Sequence, residues 1–331
     1  MAENSLIAVV DSGTTRTRLR LWDGQQVVWN DSRAVGARDS AADGNNHKLK
    51  AALAHLLTKA QAIGTPQAVV CSGMITSNLG LLEVPHLLAP CSPQDTARGI
   101  VHHDFPEIAA IPFYFIPGIK TQPQALTLAT LEQADLLRGE ETEALGLREL
   151  SQLSGPTLLL HYGSHHKAIW VDAQGYVVGS QTSITGELLA ALMGHTVLKG
   201  SVEPLETLEP DLEFFQAGLE AARQHGLGRA AFLVRVGEHL AGYSKTQMTS
   251  YLLGVLSSLD LLLLLPAQTQ QAAIVLYGSG HFPAVMKAWL VQQGIAASLI
   301  DPQTAELSAV VGAVRLLERY IAVLCSDEPS Q

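Results

Sequence analysis

Residues 6–22 read LIAVVDSGTTRTRLRLW, and this stretch decides the fold. An apolar run ends at Asp11, and after a polar turn Thr or Leu alternates with Arg or Trp over residues 17–22. Alternation with a period of two is typical of a half-buried strand, so we predict two strands joined by the turn. Asp23-Gly24 is a second turn signal ahead of residues 26–29. The first thirty residues therefore predict a three-stranded antiparallel meander.

The same order of elements recurs in the second half of the chain. Apolar residues at helical spacing predict a helix over 47–63, followed by a strand at 68–71. A second meander is predicted from strands at 157–160, 166–171 and 176–179. This α/β pattern is similar to a duplicated ribonuclease-H-like unit, the architecture of actin and hexokinase, with a cleft between two domains. We predict an N-terminal domain over 1–152 and a C-terminal domain over 153–331, because Ser, Gly and Pro cluster at the junction.

The rest of the second half alternates helices with two strands. We predict helices over 185–195, 208–225, 229–241, 246–265, 282–293 and 305–324, and strands over 273–276 and 297–300. The most apolar stretch, residues 252–266, contains Asp260 and is shorter than the roughly 20 apolar residues that span a bilayer. We therefore expect a buried helix there and no membrane segment.

Composition and charge narrow the function classes. The 331 residues are 47% hydrophobic and 16% charged, which is typical of folded domains. A formal net charge of -10 repels nucleic acid and anionic lipid, so we expect neither as a partner. Cys71, Cys91 and Cys325 form no CxxC pair, and residues 1–5 lack the positive start of a signal peptide, so we expect a cytoplasmic protein. A homodimer is the oligomeric state we consider, although no sequence motif specifies it.

The turn that follows the first strand has the composition of a phosphate-binding loop. Gly13 allows the backbone to approach a phosphate closely, and Thr14 and Thr15 add hydroxyl donors. Asp11, at the end of the strand, is placed to hold Mg²⁺ through water. The alternative is a Thr-rich hairpin turn capped by Asp11.

The turn between the first two strands of the second meander is the matching phosphate loop. Gly163 permits close approach, and Ser164, His165 and Lys167 are the polar residues available to phosphate oxygens. His165 and His166 are adjacent, but consecutive strand positions point to opposite faces. We therefore do not expect these two imidazoles to chelate one metal ion.

A third turn, Tyr277-Gly278-Ser279-Gly280-His281, follows an apolar strand and opens into a helix. Gly278 and Gly280 would let a base or ribose approach the backbone, and the helix N-terminus favours negative charge nearby. The alternative is a simple connection between the strand and the helix.

These motifs occur in an order that resembles the 2-dehydro-3-deoxygalactonokinase family, bacterial kinases of a keto-deoxy sugar acid in the hexokinase and actin superfamily. The most specific motif, Arg-Gly-Glu-Glu-Thr, is intact at 138–142. The other matching blocks are 11–15 with Arg18, 73–77, 116–118, 162–168 and 184–188. The resemblance implies an ATP- and Mg²⁺-dependent enzyme that makes the 6-phosphate of 2-dehydro-3-deoxy-D-galactonate or of a close analogue.

The resemblance also implies roles for individual residues. Glu140 or Glu141, with Asp135 as a third candidate, would orient or deprotonate the acceptor hydroxyl. Arg18 and Arg138 would contact the substrate carboxylate or a phosphate, because a guanidinium binds both in a bidentate manner.

Two further groups of residues complete the implied site. The sugar-acid site would include Gly73, Met74, Ser77 and Asn78, after the strand at 68–71. Thr185 and Gly186 would form a helix N-terminus beside the nucleotide.

Several positions depart from the family pattern. Asn78 occupies a place where relatives usually have Arg, Tyr162 and Ala168 replace Pro and Trp of the second phosphate loop, and His161 and His166 are additional. These changes leave a second hypothesis, a catalytically silent sensor of a sugar acid or a nucleotide. An acyl-phosphate or ketose kinase of the same superfamily is a third, which the motifs at 73–77 and 138–142 disfavour.

Overall fold

The computed structural model describes residues 5–205, 208–278 and 280–327, which group into two compact units. The first unit comprises the described residues of Met1–Ser154, Gln174–Gly179 and Gln303–Gln331, and the second those of Gly155–Ala173 and Ser180–Pro302. The sequence predicted a single boundary between residues 152 and 153. The first junction of the units lies two residues away, whereas the C-terminal helix groups with the first unit through contacts distant in sequence.

The first unit contains nine strands and five helices among the described residues. The strands are β1 (Ile7–Ser12), β2 (Thr17–Trp22), β3 (Val27–Arg33), β4 (Ala68–Gly73), β5 (Leu87–Leu88), β6 (Val101–Asp104), β7 (Pro112–Phe115), β8 (Ile119–Thr121) and β9 (Asp135–Leu137). The helices are α1 (Ala37–Asp43), α2 (His47–Gln61), α3 (Pro93–Arg98), α4 (Glu140–Leu150) and the C-terminal helix Pro302–Asp327. The main sheet has the order β3-β2-β1-β4-β7-β6, and β5, β8 and β9 form a small second sheet.

The second unit is built around one five-stranded sheet of order β12-β11-β10-β13-β14. Its strands are β10 (Thr157–Tyr162), β11 (His166–Val171), β12 (Val177–Ser183), β13 (Ala273–Gly278) and β14 (Ala297–Leu299), and residues 177–179 of β12 group with the first unit. Its helices are α5 (Thr185–His195), α6 (Leu212–His225), α7 (Leu227–Val236), α8 (Lys245–Gln270) and α9 (Phe282–Gln292). The C-terminal helix Pro302–Asp327 is therefore α10.

Five strands of the first sheet and the five strands of the second follow one order, which is that of a ribonuclease-H-like unit, and β6 is an additional edge strand of the first sheet. In the first sheet β1 pairs antiparallel with β2 and parallel with β4. In the second sheet β10 pairs in the same way, antiparallel with β11 and parallel with β13. The predicted meanders therefore form, and the second half keeps the order of strands and helices that the sequence predicted. The first half contains elements that were not predicted: α1 between β3 and α2, and α3 with β5 to β9 after β4. The parallel strands are buried on both faces, which is why they are near-continuous apolar runs in the sequence.

The period-two pattern of β1 divides the core of the first unit into two layers. Ala8 and Val10 pack in the layer that contains α2, whereas Ile7 and Val9 pack in the layer that contains α10. In each layer the apolar face of a helix is removed from water, which stabilises the fold by about 25 cal/mol per Å² of apolar surface buried.

Glycines bring two pairs of helices into backbone contact. A Cβ on Gly146 of α4 would lie 1.9 Å from the Ser308 carbonyl oxygen of α10, and one on Gly312 would lie 1.9 Å from that of Thr142. In the second unit, a Cβ on Gly254 of α8 would lie 1.8 Å from the Phe215 carbonyl oxygen of α6. No other residue has room at these crossings.

Several predicted boundaries move for local reasons. The helix predicted to start at residue 208 starts at Leu212, because the Asp211 side chain caps it. The helix predicted over 246–265 runs from Lys245 to Gln270, with Ser244 in a capping box. The segment predicted as one helix over 229–241 is α7 followed by a π-helical turn at Gly237–Ala241. Across the described residues, we find no helix long and apolar enough to cross a membrane.

Candidate functional site

The carboxyl ends of β1 and β4 place Asp11 at one edge of the first sheet. Asp11 is in register with Ser72 on β4 and with Arg18 on β2. Its carboxylate lies 3.3 Å from the Arg18 guanidinium, and the two side chains are 24% and 45% exposed. A ligand at this edge can therefore reach both groups, and ligands of open α/β sheets collect at such an edge.

Two glycines allow the start of α4 to pack against that edge of the sheet. Gly73 has a φ of +82°, and a Cβ there would lie 2.6 Å from the Ser12 carbonyl oxygen and 3.3 Å from Asp11 Oδ1. Gly139 has a φ of +116°, and its Cβ would lie 3.2 Å from the Cα of Gly73. The structure thus brings the motifs at 11–15, 73–77 and 138–142 together.

The two glutamates that begin α4 have different environments. Glu141 is only 4% exposed, and its carboxylate accepts the Gly139 N–H at 2.8 and 2.9 Å. Burial, with the charge of Glu140 as a smaller cause, raises the pKa of Glu141 to about 7. Glu140 is half-buried, and its carboxylate accepts the Arg138 N–H at 3.0 Å. Asp135 lies on β9 in the small sheet, opposite Thr121.

Arg138 contacts protein groups at both terminal nitrogens of its guanidinium. Nη1 donates to the carbonyl and hydroxyl of Thr76, and Nη2 lies 3.1 Å from the Val84 carbonyl oxygen and 3.0 Å from His86 Nδ1. Burial lowers the pKa of this guanidinium. The sequence predicted a substrate contact here, whereas the structure uses Arg138 to fix the segment after β4 against the start of α4.

The remaining predicted sugar-acid residues follow β4 directly. Met74 opens a 3₁₀ turn, Met74–Thr76. Ser77 is buried, and its hydroxyl donates to the Met74 carbonyl at 2.7 Å. Asn78 is exposed. Of these side chains, only that of Asn78 is fully presented to solvent.

The predicted first phosphate loop is a tight turn held by backbone hydrogen bonds. The Gly13 N–H donates to the Arg16 carbonyl at 2.9 Å, and the Arg38 N–H donates to the Thr14 carbonyl at 2.9 Å. Gly36 is required before α1, because a Cβ there would lie 2.6 Å from the Gly13 carbonyl oxygen. Thr15 is exposed on this fixed backbone.

Asp11 fits the modest protein ligation that Mg²⁺ requires in phosphoryl-transfer sites. Mg²⁺ is commonly held by one or two carboxylates together with waters and substrate phosphates. Within the described ranges, no group of three or more His, Cys, Asp and Glu side chains could hold a metal ion by itself. The donor set at Asp11 therefore suits an ion that arrives with a nucleotide.

A cavity of about 440 Å³ in the second unit joins two of the predicted turns and the predicted helix N-terminus at Gly186. Its lining residues are Tyr162, Gly163, Ser164, His166, Gly186, Leu189, Leu205, Gly280, His281 and Phe282. Gly163, Ser164, Gly186 and Gly280 were predicted from sequence. His165, Lys167, Thr185 and Gly278 were also predicted, but they are not among the lining residues.

Close backbone approach explains the glycines around this cavity. A Cβ on Gly186 would lie 2.1 Å from the Gly163 carbonyl oxygen, and one on Gly278 would lie 2.2 Å from that of Tyr162. The Glu187 N–H donates to the Ser164 carbonyl at 2.8 Å. The start of α5 is therefore fixed against the β10–β11 turn.

A buried polar network behind the cavity was not predicted from the sequence. His166 Nδ1 lies 2.7 Å from Asp260 Oδ2, and Thr185 donates its hydroxyl to Asp260 Oδ1 at 2.9 Å. The predicted nucleotide contact Thr185 is fully buried and serves Asp260 instead. The available signal was one acidic residue inside the apolar run 252–266, because a buried carboxylate needs partners.

Two ribonuclease-H-like sheets, with glycine-dependent turns at the ends of their strands, define the actin-like ATPase fold, and the family match makes the protein a kinase of that fold. The model of the 2-keto-3-deoxy-galactonokinase family matches residues 11–315, and the chain belongs to this family. The resemblance inferred from the motifs is thereby confirmed.

Individual relatives agree with this assignment. The chain is 25% identical over 318 residues to a Rhizobium meliloti (strain 1021) protein named "Probable 2-dehydro-3-deoxygalactonokinase DgoK1", covering 94% of this chain and 97% of that one. A crystal structure assigned to a 2-dehydro-3-deoxygalactonokinase of Sinorhizobium meliloti is 23% identical with a TM-score of 0.72, covering 94% and 97%. The activator of 2-hydroxyisocaproyl-CoA dehydratase from Clostridium difficile is 11% identical with a TM-score of 0.52, covering 98% of both chains, and shows the same fold.

Proposed function

We propose that this kinase transfers the γ-phosphoryl group of ATP to 2-dehydro-3-deoxy-D-galactonate, or to a close keto-deoxy sugar acid, to give the 6-phosphate. The observation that carries the proposal is the meeting of Asp11, Gly73 and the start of α4 at one sheet edge. A metal-binding carboxylate and a candidate base are the two protein groups that this reaction needs.

We assign Glu140 as the group that orients and deprotonates the acceptor hydroxyl. A general base must touch its substrate, and Glu140 is half-buried whereas Glu141 is 4% exposed with its carboxylate on the Gly139 N–H. Glu141 then acts as a positioning residue, because it holds the backbone from which Glu140 projects. The adjacent charge of Glu140 in turn contributes to the raised pKa of Glu141.

We assign substrate binding in the first unit to Arg18 and the segment after β4. Arg18 is the more exposed cation, and its pair with Asp11 leaves it near the sheet edge, where it would contact the sugar-acid carboxylate or a phosphate. Arg138 fixes the segment 76–86 and so positions Ser77 and Asn78. Mg²⁺ bound with ATP would neutralise charge on the transferred phosphoryl group.

We assign the nucleotide to the cavity of the second unit. Gly163, Ser164, Gly186 and Gly280 surround it with backbone that a ligand can approach closely. The Clostridium difficile activator, which has the same fold, was solved with bound ADPNP. We place Lys167, His165 and Gly278 next to this cavity as supporting residues of the same two turns.

A coupled ADP-release assay tests this function. Mg-ATP is offered with 2-dehydro-3-deoxygalactonate or with its gluconate epimer, and we expect turnover with at least one of them. Glu140→Gln should lower kcat by at least about 100-fold with little change in KM. The matched control is Glu149→Gln on the same helix, where an exposed glutamate pairs with Arg315, and its kcat should be that of the wild type. An active Glu140→Gln enzyme would remove our assignment of the base.

The sensor hypothesis makes a different prediction from the same experiment. It is motivated by Asn78, which is exposed where relatives usually have an arginine. A sensor would bind a sugar acid or a nucleotide in calorimetry and release no ADP with either sugar acid.

A further inference from the structure

His166 occupies an unusual position in the wall of the second-unit cavity. The residue is 2% exposed, it lines the cavity, and its Nδ1 lies 2.7 Å from Asp260 Oδ2. A buried imidazole that borders a cavity has one nitrogen to offer to a ligand.

Asp260 determines which nitrogen that is. Its Oδ1 accepts the Thr185 hydroxyl at 2.9 Å and its Oδ2 contacts Nδ1 of His166. A carboxylate can only accept, so the hydrogen between them belongs to Nδ1. No hydrogen-bond partner of His166 Nε2 is found among the described residues.

Aromatic packing fixes the plane of the imidazole. The His166 ring meets Tyr162 and Phe282 edge-on, with ring centroids 4.7 Å apart in both cases and interplanar angles of 66° and 80°. Tyr162 and Phe282 are themselves nearly parallel, at 6.0 Å. The ring therefore has little freedom to turn, and the Nε2 direction is set before a ligand arrives.

The described lining of the cavity is compatible with an anion at Nε2. The described lining residues include no Asp or Glu, and His281 is a second imidazole. Asp260 faces His166 from α8, Tyr162 faces it from β10, and the neighbouring His165 lies 3.6 Å from Glu187 of α5. Since Asp260 already takes the Nδ1 hydrogen, an anionic oxygen at Nε2 requires a second hydrogen on the ring.

We infer that His166, held by Asp260, binds a phosphate oxygen of the nucleotide through Nε2 and takes up one proton when it does so. The inference rests on our assignment of this cavity to the nucleotide. It makes His166 a specificity residue for the anionic part of that ligand.

Isothermal titration calorimetry with ADP tests the inference. Titrations at about pH 8, where few free imidazoles are protonated, are run in two buffers with different ionisation enthalpies to measure the protons taken up. We expect uptake in the wild-type protein and in His225→Gln, an exposed control histidine at the end of α6. In His166→Gln we expect the uptake to vanish and the Kd to rise about tenfold or more, as for loss of a charge-assisted hydrogen bond.

The outcomes separate this inference from the proposed function. If the wild type binds ADP without proton uptake, or His166→Gln binds it with wild-type Kd and uptake, the inference is wrong while the nucleotide assignment stands. If the wild type binds no ADP, both are wrong. His281→Gln checks the second imidazole, because loss of the uptake in that variant alone would assign the proton to His281. The wild-type measurement needs no variant, so a misfolded His166→Gln protein does not remove the test.

Discussion

Replacing Glu141 with Gln should remove a pH-dependent loss of stability. Burial raises the pKa of Glu141 from the 4.5 of a solvated glutamate to about 7 in the folded protein. Below about pH 4.5 the group is protonated in both the folded and the unfolded state. Between 4.5 and about 7 the unfolded chain releases a proton that the folded protein retains, so the stability falls as the pH rises.

The size of the effect follows from the two pKa values. The difference between 4.5 and about 7 corresponds to about 3 kcal/mol, at about 1.4 kcal/mol per pKa unit. Glu141 is buried, so solvent screening does not reduce this figure. Glutamine keeps an oxygen that can accept the Gly139 N–H and does not ionise, so the variant should escape the loss.

Urea unfolding followed by circular dichroism measures the effect from about pH 4.5 to pH 8. The free energy of unfolding of Glu141→Gln, minus that of the wild type, should rise by about 3 kcal/mol across this range. Glu149→Gln, an exposed glutamate on the same helix, should show no such trend. A flat difference for Glu141→Gln would refute the claim that this carboxyl is held protonated by burial.

Three further variants test the fold and the site. Gly254→Ala places a Cβ 1.8 Å from the carbonyl oxygen of Phe215, so thermal unfolding should show a loss of about 3 kcal/mol in the free energy of unfolding, or the variant should fail to fold. The control Gly228→Ala has open space at its Cβ and should leave the free energy of unfolding unchanged. Arg138→Lys should lower kcat/KM at least about tenfold, because one ammonium cannot replace four guanidinium contacts, and an unchanged value would remove its positioning role. Asp11→Asn should abolish turnover while changing the free energy of unfolding by under about 1 kcal/mol, because its ion pair is partly exposed, and full activity would place the metal elsewhere.

The sheet-forming parts of the fold were predictable because their signals are local. The runs at β1, β4, β10 and β13 are apolar because both faces are buried, and the turns between them contain the expected breakers. The sequence did not predict the elements whose stability depends on partners distant in the chain. The strands β5, β8 and β9 have only two or three residues each, so no periodicity can develop in them.

In the candidate site, too, the features with a local signal in the sequence were predictable. Glycines mark close backbone approach, and the structure shows such approach at Gly73 and between Gly163 and Gly186. Contacts over long sequence distances were not predictable. Arg138 is held by groups 52 to 62 residues earlier, and His166 meets Asp260 across 94 residues. No local pattern contains that information.

The central claim, phosphoryl transfer to a keto-deoxy sugar acid, is tested most directly by ³¹P NMR of a reaction of this protein with Mg-ATP and 2-dehydro-3-deoxygalactonate. We predict a new phosphomonoester signal that correlates with the C6 protons of the sugar acid and grows at the same rate as ADP. A wild-type protein that binds both substrates and yields only unreacted ATP, or ADP with inorganic phosphate, would contradict the claim.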